Sequence, residues 1–371
     1  MSTPLKAIAA IAQAPRADFA IREIDIDAPR PGEVQVEIKG VGLCHTDLIF
    51  RDQFVPLPLP AVLGHEGAGI VRAVGQDVTR VGPGDSVIVG FSSCGHCSRC
   101  DAGLPSYCRE FPVLNYAGTR PDGSMAITCD GERVSSHFFG QSSFASLAIA
   151  PERNVVKVDA EGLDLRILGP LACGFQTGAG SVLRSLDCPA GSSLAIFGGG
   201  PVGLAAVMAA KHRGCCRIVL VEPFARRRAL ALELGATDAV DPAQDDVMAQ
   251  LRAIGPDGFE YILESSGNEG AMAAALGSLA SHGMLGLVGV PRSADIALPV
   301  NVAGLITYGH RIVGIVEGDS DLDLFIPELV ALHRSGAFPI ERLVTCFPLT
   351  AINEAVAAQA RGECVKAVLL P

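Results

Sequence analysis

The chain has 371 residues, enough for about two domains that each bury an apolar core, and its 49% hydrophobic content excludes a disordered protein. A formal net charge of -11 argues against a polyanionic partner, because nucleic-acid affinity comes largely from lysine and arginine neutralising phosphates. With 42 glycines and no repeat or low-complexity tract, the composition fits a compact α/β protein acting on a small molecule.

The N-terminal stretch is broken by Gln13, Pro15 and Arg16, so neither a membrane span nor a signal pattern is expected, and a cytoplasmic location is the default. Twelve cysteines without a secretory signal then point to reduced thiols or metal ligands rather than disulfides.

From residue 5 to about 90 the text reads as short strands. Alternation runs through Glu33-Val34-Gln35-Val36-Glu37-Ile38, with turn signals at Pro31-Gly32 and Gly82-Pro83-Gly84, as in a barrel-like all-β unit. A loop rich in Gly, Ser and Pro follows, holding Cys94-x-x-Cys97-x-x-Cys100-x7-Cys108. Four thiolates within fifteen residues suit a closed tetrahedral zinc with no position for substrate, a purely structural site whose loop should loosen on chelation.

After Cys173 the period changes. The apolar run Ser193 to Phe197 ends in Gly198-Gly199-Gly200-Pro201-Val202-Gly203, followed by a helical pattern at Leu204, Val207 and Met208 and a strand from Arg217 to Glu222. Further strands are expected at Phe259 to Leu263, Met284 to Val290 and Arg311 to Ile315, alternating with helices such as Phe224 to Leu234, which is the pattern of a doubly wound parallel sheet. A helix from Leu322 to His333 and a strand from Val365 to Leu370 make a tail too short for its own domain.

Gly198, Gly200 and Gly203 form a G-x-G-x-x-G between strand and helix, where glycines let the backbone approach a pyrophosphate at a helix N-terminus. Glu222, at the end of the next strand, is placed to accept from adenosine ribose hydroxyls and to repel a 2'-phosphate, favouring NAD over NADP. Arg226-Arg227-Arg228 stands against this as a phosphate partner, or is a solvated face. A second metal site is less visible: Cys44, His65 and Cys173 are far apart in the chain, and each alone reads equally as a packed or satisfied side chain.

Taken in order, Gly42-Leu43-Cys44-His45-Thr46-Asp47, Gly64-His65-Glu66-Gly67, the four-cysteine loop, Cys173-Gly174-Phe175-x-Thr177-Gly178 and the glycine fingerprint resemble the zinc-containing medium-chain alcohol dehydrogenases over essentially the whole chain. The pattern is similar to bacterial aryl-alcohol dehydrogenases, and the Gly118 to Cys129 region looks like the longer form of the family. The resemblance implies a GroES-like catalytic domain at 1–174 and 316–371, a Rossmann domain at 175–315, an active site in the cleft, and a homodimer or homotetramer.

It also implies roles. Cys44, His65 and Cys173 would hold a catalytic zinc, the second per chain, with Asp47 orienting His65 and Glu66 either beside the metal or in an ion pair. Thr46 would take the alcohol proton. His45 would lie near the pyrophosphate, Thr177 and Val290 near the nicotinamide, Arg227 near the adenosine ribose and Lys366 near a phosphate. Where many relatives carry a relay histidine five positions after the first ligand, this chain has Ile49, so the proton leaves through the cofactor ribose or through His45.

Ile49 with Phe91, Phe138 and Phe139 at pocket-lining positions implies a bulky aromatic or allylic alcohol, although each Phe also reads as core. Two rivals remain: a glutathione-dependent formaldehyde dehydrogenase, for which Glu110-Phe111-Pro112-Val113 offers no basic anchor beyond Arg109, and a non-catalytic protein that keeps the fold.

Overall fold

The computed structural model describes residues 4–371 except 245, 292 and 294. The chain divides into two compact units: Met1–Cys173 with Asp321–Ser335 and Pro339–Pro371, and Gly174–Ser320 with Gly336–Phe338.

The first unit is mostly antiparallel sheet. Its strands are β1 (Leu5–Ala12), β2 (Ala20–Ile26), β3 (Glu33–Gly42), β4 (Ala61–Val62), β5 (Gly67–Val74), β6 (Ser86–Val89), β7 (Ile127–Cys129), β8 (Glu132–Val134), β9 (Leu147–Pro151) and β10 (Val155–Lys157). One sheet runs β4-β1-β2-β7-β8. Strand β3 centres the other. The alternation read at Glu33–Ile38 would leave its polar face in water, but β5 and β9 pair along its two edges and Glu33 and Gln35 are buried. Arg120 makes that burial tolerable, donating to Glu33 through Nε at 2.6 Å and Nη2 at 3.1 Å.

The second unit holds β11 (Ser193–Phe197), β12 (Arg217–Val221), β13 (Asp238–Val240), β14 (Phe259–Glu264), β15 (Leu279–Leu287) and β16 (Arg311–Gly314). All pair in parallel, in the order β13-β12-β11-β14-β15-β16. The central β11 is buried along its whole length, as a parallel strand covered on both faces must be, and Phe197, Val219, Phe259, Ile262 and Leu285 pack one core. The expected Met284 to Val290 strand begins earlier, at Leu279, and ends at Leu287. Order reverses between β11 and β14, and the glycine turn lies at the carboxyl end of β11, the place where open α/β sheets bind ligands.

The chain then returns to the first unit through the helix Leu322–Arg334, and adds β17 (Val344–Pro348) and β18 (Lys366–Leu370), which extend the second sheet to β10-β6-β5-β3-β18-β17. Residues 316–320, expected with this returning tail, cluster instead with the second unit: Gly318 packs on Gly180 so closely that a Cβ on Gly180 would meet the Gly318 carbonyl oxygen at 2.4 Å. Among the described residues no helix is long and apolar enough to cross a membrane.

Candidate active site

Strand β3 runs straight into the helix His45–Arg51, with Cys44 as its extended N-cap at φ -110° and ψ 156°. Asp47 closes the first turn by accepting from the Cys44 N–H at 2.9 Å. Its other oxygen accepts from Gly64 N at 3.0 Å and meets His65 Nδ1 at 2.9 Å. That contact holds the ring through Nδ1 and leaves the buried Nε2 as the atom that a metal would take in place of a proton.

Cys44, His65, Glu66 and Cys173 converge there, with one donor atom from each lying within 4.8 Å of all the others. Two thiols and an imidazole nitrogen are the soft donor set that suits zinc and leave a fourth position for a small molecule. The Cys44 thiol is held well below its ordinary range, first by its hydrogen bond with Cys173, then by one with His65 and by the charges of Lys366 and His65, against the effect of burial. Burial would lower the His65 pKa, yet the Asp47 charge and hydrogen bond raise it well above the usual value. Each group is biased by its neighbours toward its charged form, the Cys44 thiol by cationic side chains and the His65 ring by a carboxylate.

Lys366 corrects an expectation. Rather than standing at a phosphate, its ammonium has no exposed surface, donates to the Leu43 carbonyl at 3.1 Å and pairs with Glu66 at 2.6 Å. Glu66 thus lies within the donor cluster and is paired with Lys366.

The His65 ring is wrapped in aromatic side chains. Phe139 stacks on it at 4.5 Å with the planes 26° apart, and Phe138 meets it edge-on at 5.5 Å. Tyr116 touches Phe139, Phe50 touches Phe138, and Phe111 joins Phe139 to Phe91. Phe138 is fully enclosed, so it backs the site rather than lining an open pocket. Phe50, Phe111 and Tyr116 carry no periodic signal in the sequence that links them to His65. Thr46 and Ile49 are half-buried on the helix His45–Arg51, with Thr46 Oγ1 3.7 Å from Cys44 Sγ, while His45 is exposed.

The four-cysteine segment contains two short helical turns, Ser98–Asp101 and Pro105–Tyr107, which fold the loop on itself. Sulfur separations of 3.9 Å for Cys94 to Cys100, 3.7 Å for Cys97 to Cys100 and 4.0 Å for Cys97 to Cys108 match the edge of about 3.8 Å that a tetrahedron with Zn–S near 2.3 Å requires. They are far too long for disulfides. Backbone N–H groups of Arg109 and Cys100 bring the Cys97 thiol down to about 6, whereas burial pushes Cys108 up to about 12.

In the second unit each fingerprint glycine has its own reason. Gly198 turns the chain at φ +101°, a Cβ on Gly203 would strike the Gly198 carbonyl oxygen at 1.8 Å, and a Cβ on Gly200 would meet nothing within 4 Å. The open one is the N-cap of the helix Pro201–Arg213 and brings no side-chain cap, the kind of helix start that favours an anion. Glu222 is buried beside this turn, accepting from Gly199 N at 2.5 Å and Phe224 N at 2.9 Å. Arg228 is committed to Asp241 and to the Glu222 and Pro223 carbonyls, and Arg227 lies over the Phe224 ring at 4.8 Å. Thr177 is buried with its hydroxyl 3.4 Å from Glu317, and Val290 is exposed.

Residues 30–160 match the family model for the alcohol dehydrogenase GroES-like domain, and residues 201–331 that for zinc-binding dehydrogenase. The chain is 45% identical over 368 residues to geraniol dehydrogenase of Castellaniella defragrans, covering 99% of this chain and 98% of that one. Its fold superimposes on a zinc-binding alcohol dehydrogenase domain protein from Burkholderia ambifaria with TM-score 0.96 at 48% identity, covering 99% of both chains. Benzyl alcohol dehydrogenase of Acinetobacter calcoaceticus follows at TM-score 0.94 and 38% identity, again over 99% of both.

Proposed function

The chain belongs to the zinc-containing medium-chain alcohol dehydrogenases, and from that premise we propose that it oxidises bulky apolar primary alcohols, aromatic or allylic, reversibly to aldehydes with NAD. The carrying observation is the convergence of Cys44, His65 and Cys173 inside a shell of Phe139, Phe138 and Tyr116. The names of two relatives, a geraniol and a benzyl alcohol dehydrogenase, agree with that substrate class.

In this reading Cys44, His65 and Cys173 hold one zinc, and Cys94, Cys97, Cys100 and Cys108 hold a second for structure. Bound zinc supplies Lewis acidity that makes an alcohol hydroxyl acidic near neutral pH. Thr46 takes the hydroxyl proton. His45 would pass it on to solvent unless a bound cofactor's ribose offered the route, because Ile49 has no group to do so. NAD supplies the acceptor for the hydride leaving the alcohol carbon. Glu222 orients the adenosine ribose, Gly198, Gly200 and Gly203 admit the pyrophosphate, Thr177 and Val290 border the nicotinamide, and Arg227 covers the adenosine side. The rings packed on His65 exclude water from the donor cluster, and the half-buried Ile49 gives an alcohol an apolar neighbour.

We also read the protein as a cytoplasmic homodimer or homotetramer; Val302, Ile306 and Tyr308, strongly exposed apolar side chains on one short helix, support an assembly. Steady-state rates with benzyl alcohol, geraniol, ethanol and S-hydroxymethylglutathione, each with NAD and NADP, test the substrate reading. We expect the highest kcat/KM for the aromatic or allylic alcohol with NAD. A higher value for ethanol or for the glutathione adduct overturns it.

A further inference from the structure

The backbone around His65 is held by a ladder that stops one residue short. Leu63 and Gly64 offer their carbonyls to the N–H groups of Phe144 and Ser143, at 2.9 Å and 2.8 Å. At His65 the facing chain turns away, with Phe139, Gly140 and Ser142 all at positive φ. No backbone group of that segment is left to pair with the His65 carbonyl or the Gly67 N–H.

Gln141 fills the gap with its side chain. Its Nε2 donates to the His65 carbonyl at 2.9 Å, and also meets the Val89 carbonyl at 2.9 Å and the Gly90 carbonyl at 3.1 Å. Its Oε1 accepts from Gly67 N at 3.2 Å and from the Ser143 hydroxyl. A carboxamide has the donor and acceptor of a peptide group, so it extends the ladder across Glu66. The amide is 1% exposed, which makes each of these bonds costly to lose.

The same turn carries Phe138 and Phe139 onto the His65 ring. Phe139 does so at φ +50°, a conformation that a bulky L-residue keeps only where its surroundings over-determine it. Asn154 supplies part of that restraint, donating to the Phe139 carbonyl at 3.1 Å. Backbone and ring of one donor residue are therefore gripped by a single turn.

We propose that Gln141 is a positioning residue for the three-donor site, its amide standing in for a missing peptide and fixing the His65–Glu66–Gly67 run. This rests on the reading that Cys44, His65 and Cys173 hold a metal. A core amide that merely filled space would affect stability alone; a positioning amide also alters how the site takes an ion.

Gln141→Leu removes all five contacts at similar volume, and Ser143→Ala removes only the hydroxyl contact to Oε1. Both are compared with the wild type and with His65→Ala by zinc competition against a chromophoric chelator and by the visible absorption of the cobalt(II)-substituted chain. We expect Gln141→Leu to weaken one of the two zinc sites by about 10- to 100-fold, as loss of groups supporting metal ligands does, to shift the cobalt bands, and to lower kcat more than it raises KM. Ser143→Ala should move the same readouts less, and carries the test if Gln141→Leu does not fold. Wild-type chelator midpoints and cobalt bands in the folded variants overturn the proposal, whatever happens to Tm. A wild type with one zinc, unchanged by His65→Ala, overturns instead the reading on which it rests.

Discussion

Lys366 and Glu66, 300 residues apart in sequence, form an ion pair 2.6 Å long with neither side chain exposed. Burial pushes the Glu66 carboxyl up and the neighbouring ammonium pulls it down; the Lys366 ammonium is lowered by burial but raised overall by Glu66 and the two thiols. Lys366→Met strands a carboxylate without its cation and should cost about 3–5 kcal/mol in urea unfolding. The double variant Glu66→Gln with Lys366→Met should recover much of that loss. A double variant as unstable as the single one would show that the pair is not the source of the effect.

Acid sensitivity should trace partly to His137. Burial, and then the Arg120 guanidinium, lower its pKa from 6.5 to about 4. The folded chain keeps this imidazole neutral while the unfolded chain protonates it, so its contribution is complete above about pH 6.5 and is lost as pH falls towards 4. The shift corresponds to about 3 kcal/mol. Replacing the ring by a group that does not titrate, in His137→Gln, should therefore flatten the fall in unfolding free energy between pH 7 and pH 4.5. An equally steep fall would assign the acid limb to other groups such as Glu33.

Cofactor choice is expected to follow Glu222. Its carboxylate is tied to Gly199 N and Phe224 N beside the open Gly200, where an added 2'-phosphate would meet negative charge. Glu222→Ala should reduce kcat/KM for NAD by about tenfold or more, roughly 1.4 kcal/mol, with a smaller loss for NADP. An unchanged NAD-to-NADP ratio removes Glu222 from discrimination.

Metal removal should separate the two cysteine clusters. Cys100→Ser takes away a sulfur lying 3.7 Å from Cys97 and 3.9 Å from Cys94. The zinc content should drop by one per chain, and the 94–108 segment should become the first site of limited proteolysis. Zinc content equal to the wild type would deny this cluster its structural role.

The route of the proton is open to a simple rescue experiment. His45 is exposed at the start of the helix, whereas Ile49 cannot carry a proton. His45→Ala should lower turnover, and imidazole in the buffer should restore it. Turnover at the wild-type level leaves the cofactor ribose as the exit.

What could be read from the sequence follows the range of the contacts. The four-cysteine cluster and the glycine fingerprint are local: spacing alone brings their atoms together, and Gly198, Gly200 and Gly203 each have a separate steric reason for their place. The order of the parallel strands is legible because strand and helix periods alternate. Cys44, His65 and Cys173 have no periodic link, and only resemblance joined them. The places of Lys366 and Gln141 are illegible for the same reason: Gln141 holds the His65 carbonyl 76 residues away and Lys366 the Leu43 carbonyl 323 residues away, and neither contact marks the hydrophobic patterning. Alternation along β3 marks the strand but carries no sign of Arg120 neutralising a buried Glu33.

Asp47 gives one carboxylate to two tasks, starting a helix and fixing the imidazole of His65. The donor geometry is thereby set by the nucleation of a helical turn, before any ion arrives. A cage shaped by the polypeptide presents itself alike to zinc, cobalt or another divalent ion of similar size, and ligand softness alone separates them weakly. Which metal fills the site in a cell then depends on the free concentrations maintained around the chain, so faulty metal supply would yield a correctly folded enzyme carrying the wrong ion.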